Sequence, residues 1–85
     1  ALARGRRMLE LGNIAVARPL LERAATSGSA AAALLVGNSY DANWLKRNGA
    51  LGIAADAALA RKWYGQAQHL GNGEAARLIA ALPAP

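Results

Sequence analysis

The chain has 85 residues, ten Lys and Arg against five Asp and Glu, a net charge of +5 and no cysteine. That length fits one small domain or a piece of a longer protein, and the absence of cysteine excludes a disulfide framework, a thiolate nucleophile and a cysteine-based zinc site. The apolar fraction of 54% is mostly 23 Ala and 13 Leu, with three Ile, two Val, two Trp, two Tyr and no Phe. Such a composition favours closely packed helices over sheets. One His is too few to build a metal site without several carboxylates, so no cofactor or metal is expected. The longest uncharged stretch, Ala24 to Tyr40, has 17 residues and is interrupted by Gly28, serines and Asn38, which argues against a membrane span in this segment. Arg4, Arg6 and Arg7 are followed by neither a long apolar run nor a cleavage site, and a chain that opens on Ala1 reads as trimmed.

Period and punctuation predict helices throughout. The first runs from about Leu2 to Leu11 and stops at Gly12. Asn13 is positioned to cap a second, from Ile14 to about Thr26, closed by Gly28. Pro19 lies inside it and predicts a bend, because its ring nitrogen cannot donate to the carbonyl of Ala15. Ser29 opens a third helix through Ala30 to Ser39. Gly37 inside that helix is worth roughly 1 kcal/mol less than Ala there, so a close neighbour is expected against it. A stretch from Ala42 to Ala55 follows, in which Asn43 to Arg47 read as one helical turn before Asn48, Gly49 and Gly52. Asp56 caps a fourth long segment to about Leu70, closed by Gly71. A fifth runs from Gly73 to Leu82, ended by Pro83 and Pro85.

An internal repeat organises these elements. Arg18 and Arg61, Leu21 and Tyr64, Ala24 and Ala67, Gly28 and Gly71, Ala32 and Ala75, and Leu35 and Leu78 are each 43 positions apart. Small residues recur where helices would cross, and one bulky residue recurs as a plug. Gly5, Met8, Ala17, Leu21 and Ala24 fit the spacing of the tetratricopeptide motif, although Arg4 and Met8 stand where Leu and Tyr are usual. Val36, Gly37 and Tyr40, then Gly49, Gly52 and Ile53, then Asp56, Ala60, Trp63, Tyr64, Ala67 and Gly71 resemble the related Sel-like repeat. The departures are a longer loop, Leu59 in place of Lys, and two residues instead of one between Gly49 and Gly52. The resemblance implies an all-α fold of about five helices, antiparallel hairpins stacked as an α-solenoid, with hairpins over 1–28 and 29–71, a long loop over 41–55 and a capping half-repeat over 72–85. It further implies Tyr64 as the packing aromatic, Trp63 against the loop near Ile53, and a non-catalytic scaffold that binds a peptide or protein along a concave surface.

Helical phase then selects contact candidates. Arg6 and Glu10 on the first helix, Asn38 on the third, and Glu74 and Arg77 on the fifth fall away from the expected packing faces, while Trp44, Lys46 and Arg47 mark a loop rim. Trp44 between cations suits a partner anchor, and it equally suits a plug folded back over the groove between hairpins. His69 near Gly71 complements the C-terminal dipole of its helix, and Thr26, Ser27, Ser29 and Ser39 offer no activated nucleophile, so no enzyme is expected. The +5 charge favours acidic partners. Nucleic acid or an anionic membrane surface is the alternative for a basic chain, weakened by the lack of interleaved aromatics, and a purely structural role within a larger chain or self-association through an end helix are the others.

Overall fold

The computed structural model describes residues 2–50 and 52–84; Pro85, expected to help close the last helix, lies outside them with Ala1 and Leu51. Among the described residues there are six helices and no strand: α1 Leu2–Glu10, α2 Ile14–Thr26, α3 Ala30–Tyr40, α4 Ala42–Arg47, α5 Ala57–His69 and α6 Ala75–Ala80. The expected single turn near Trp44 is a helix in its own right, which makes six elements where five were expected. The last helix is correspondingly shorter than its sequence span.

Local chemistry sets these boundaries. The Ser29 hydroxyl accepts from the Ala32 amide at 3.0 Å, and Asp56 Oδ1 accepts from the Leu59 amide at 3.0 Å, so α3 and α5 begin on side-chain caps. Asn13 makes no such bond, and α2 starts without one. At the other ends, Gly28 (φ 104°) and Gly71 (φ 98°) turn the chain in the left-handed region. The amides of Ser29 and Asn72 then reach back to the carbonyls of Ala24 and Ala67, at 3.0 and 2.9 Å, as in a Schellman turn. α2 is continuous through Pro19, and Ala15, whose carbonyl loses its helical donor there, is exposed.

Helices contact in chain order: α1 on α2, α2 on α3, α3 on α5 and α5 on α6, with α1 also touching α3 and α4 lying on α3. α3 is central, and Ala32, Ala33, Val36, Gly37, Asn38 and Ser39 are all buried. Two close approaches fix the hairpins. A Cβ on Gly5 would sit 2.7 Å from Leu21 Cδ2, and one on Gly37 would sit 2.5 Å from Tyr64 Cε1, so each glycine is the gap into which the plug of the partner helix fits. Leu21 and Tyr64 are both fully buried.

Candidate interaction groove

The groove depends on how the 41–55 segment is held. Asp41, 2% exposed, caps α4 by accepting from the Asn43 amide at 2.9 Å through Oδ1, while its Oδ2 accepts the Tyr64 hydroxyl at 2.7 Å. The same hydroxyl lies 2.8 Å from Asn38 Oδ1, so its single proton is shared between the two oxygens and one phenol ties α5 to the end of α3 and the start of α4. Leu45 is buried beneath α4, and the Ala50 amide returns to the Leu45 carbonyl at 2.9 Å. The Asp56 amide donates to the Tyr40 carbonyl at 2.9 Å and closes the segment where it began. The Asn43 side chain donates to the Ala81 carbonyl at 3.2 Å, which joins α4 to the end of α6.

Held in this way, the segment walls a cavity of about 390 Å³. α1 contributes Arg6, Leu9 and Glu10, the α1–α2 turn Gly12, α2 Ile14 and α3 Leu35; the opposite wall is Trp44, Asn48, Gly49, Ala50 and Ile53. Leu9 and Ile14 are nearly closed to solvent, while Leu35, Trp44 and Ile53 are half-buried and pack on the core. The interior is therefore apolar, with Arg6 and Glu10 one helical turn apart on α1 beside it. The volume lies at the lower end of the ~300–1,000 Å³ range of small-molecule pockets.

Three of the candidate contact residues, Arg6 and Glu10 from helical phase and Trp44 from the loop rim, meet at this cavity. Trp44 packs on the core and lines the cavity. Lys46 and Arg47 are exposed on α4 without lining it, and Glu74 and Arg77 form an exposed ion pair of 3.3 Å on α6. Asn38 is corrected: it is 8% exposed and accepts the Tyr64 hydroxyl, because α3 is covered on more sides than a two-faced helix would be. Its amide is a packing group, unavailable to a partner. The apolar lining was not foreseen as a site, since Leu9, Ile14 and Leu35 have the spacing of ordinary core residues. The one available signal was the Gly49, Gly52 and Ile53 loop pattern.

Electrostatics separate structural from free charges. Burial pushes the Tyr64 phenol well above its ordinary range, and the Asp41 hydrogen bond and charge push it further, against a smaller opposing effect of Arg47 and Arg77. Arg18 donates through Nε to Ser39 Oγ at 3.0 Å and through Nη2 to the Ser39 carbonyl at 2.6 Å, with its guanidinium 3.8 Å from the Tyr40 ring centre. Arg61, 43 positions on, donates to the Pro83 carbonyl at 2.9 Å. Each joins its helix to backbone at or beyond the end of the next, so two of the ten cations act as staples. Lys62 lies 5.6 Å from the Trp63 ring, His69 is exposed in the last turn of α5, and no helix is long and apolar enough to cross a membrane.

Compared with protein-family models, curated proteins and solved structures, the chain matches none.

Proposed function

We propose that this chain is a non-catalytic interaction module of the tetratricopeptide-like, Sel-like kind, whose hairpins stack as a short α-solenoid and whose groove beside Trp44 takes a peptide segment of a partner protein. The cavity between α1, α3 and the α4 segment carries this reading: it is apolar inside, it draws on both hairpins, and it is held open by a buried hydrogen-bond network. The stacking is supported by the succession of helix contacts and by a Cα thickness of 16 Å, which suits two helix layers 8–10 Å apart. The matching roles of Gly5 with Leu21 and Gly37 with Tyr64, and of Arg18 and Arg61, support a repeated unit.

The test is a display selection of random twelve-residue peptides against the immobilised 85-residue chain, followed by binding of the enriched peptides to Trp44→Ala. The reading expects a recurrent peptide pattern whose affinity falls at least about tenfold in the variant, as for an aromatic anchor at the centre of an interface. Enriched peptides indifferent to Trp44, or no enrichment, contradict it. A circular-dichroism melt of the variant separates lost binding from lost structure.

Self-association is the second reading, favoured by Leu11 and Val16, which are 63% and 45% exposed around the α1–α2 turn. Sedimentation of a monomer at high concentration removes it.

A further inference from the structure

We infer that the occupant of the groove is an acidic segment of a partner protein with one bulky apolar residue, the apolar side chain entering the cavity beside Trp44 and the carboxylates meeting the cations of α1 and α4. This deepens the interaction reading and rests on it. The distribution of charge favours this occupant. Of the acids, Asp41 is buried under Tyr64, Asp56 caps α5 and Glu74 faces Arg77. Of the cations, Arg18 and Arg61 hold backbone carbonyls and Lys62 lies beside Trp63. Of the rest, Arg6 lines the cavity with Glu10 and Arg7 lines the hollow beside it, Arg4 is exposed on the same helix, Lys46 and Arg47 are exposed on α4 next to the cavity-lining Trp44 and Asn48, and only Glu22 and Arg23 lie elsewhere, on α2. Most of the net +5 therefore sits on the two helices that flank the cavity.

Shape favours a segment over a small molecule. A second, shallower hollow of about 570 Å³ lies along α1 against Leu2, Ala3 and Arg7 and shares Arg6 and Glu10 with the cavity. The two hollows thus adjoin along α1, giving a chain anchored in the cavity a surface on which to continue. Cations on an exposed rim steer and select an oppositely charged partner more than they tighten it, so the preference should weaken with salt.

The experiment runs the twelve-residue peptide selection in parallel on the wild-type chain and on the Arg6→Glu/Arg47→Glu double variant. Both positions are exposed, and thermal melts establish that the variant folds. Wild-type peptides are expected to be net acidic around one Leu, Phe or Trp. Their affinity should fall about tenfold in the double variant, whose own selection loses the acidic bias. Peptides that bind the groove without an acidic bias, or that ignore the charge reversal, overturn this inference and leave the interaction reading standing. No enriched peptide from either protein removes both. A 20-base-pair DNA duplex is the control for a phosphate-driven surface: steeply salt-dependent DNA binding through the same arginines, beside peptides without acidic bias, assigns the charge to nucleic acid and overturns the proposal.

Discussion

Gly37 and Tyr64 decide more of this molecule than any other pair of residues. The Tyr64 ring lies where a side chain at position 37 would start, and ring and backbone yield less than a flexible terminus would. Gly37→Ala is expected to lower the unfolding free energy by about 1–3 kcal/mol in urea denaturation, despite the better helix propensity of Ala. Tyr64→Phe keeps the ring and removes its hydroxyl, leaving Asn38 Oδ1 and Asp41 Oδ2 without that donor, a loss of about 1–3 kcal/mol in the same assay. The pH dependence follows from the raised phenol. The folded chain holds this proton where an unfolded Tyr releases it, so the contribution is complete below pH 10 and declines as pH rises beyond it. Melting curves between pH 8 and 11 should show a steeper alkaline loss for the wild type than for Tyr64→Phe; parallel curves contradict the assignment.

At the scale of the elements, α4 is where sequence and structure part most. The helix limits elsewhere were legible because Gly12, Gly28 and Gly71 mark left-handed turns, and Ser29 and Asp56 mark side-chain caps, all of which are local physics. The α4 segment is held by distant groups: Tyr64 on Asp41, Ala81 on Asn43, and Tyr40 on Asp56. No local spacing reports such contacts. The burial of Asn38 escapes the sequence for the same reason, since helical phase locates one packed face but not the additional neighbours that cover α3. Of the candidate site, the polar rim of Arg6, Glu10 and Trp44 was readable, whereas the lining was hidden among residues that look like ordinary core. Asp41→Ala removes the α4 cap and one acceptor of the Tyr64 hydroxyl together. It is expected to destabilise the chain by about 1–3 kcal/mol and to speed amide exchange over 42–48 relative to α2. In a Trp63→Phe background, the same change should shift Trp44 emission to the red; unchanged emission and exchange would show that α4 is held without its cap.

Across the whole molecule, the thin composition and the positive charge find separate explanations. Alanines such as Ala17, Ala32, Ala60, Ala67 and Ala75 are fully buried, so small residues let helices approach while a few large side chains fill the hairpins. Part of the charge is structural, through Arg18 and Arg61, while Arg6 and Arg7 line the hollows along α1 and Lys46 and Arg47 are exposed on α4. Arg18→Ala should cost about 1–3 kcal/mol, since charge-assisted bonds to Ser39 are lost along with its contact on Tyr40. Arg4→Ala, at an exposed position, should stay within about 0.5 kcal/mol. On the function proposed above, the cavity between α1 and α4 receives the partner. Nitrogen-15 NMR of the labelled chain, titrated with a selected peptide, tests it residue by residue. The account predicts shifts centred on Arg6, Glu10, Gly12, Asn48 and Gly49 and on the Trp44 indole; shifts centred instead on Arg23, Lys62 and Gln66, on the surfaces of α2 and α5, would contradict it.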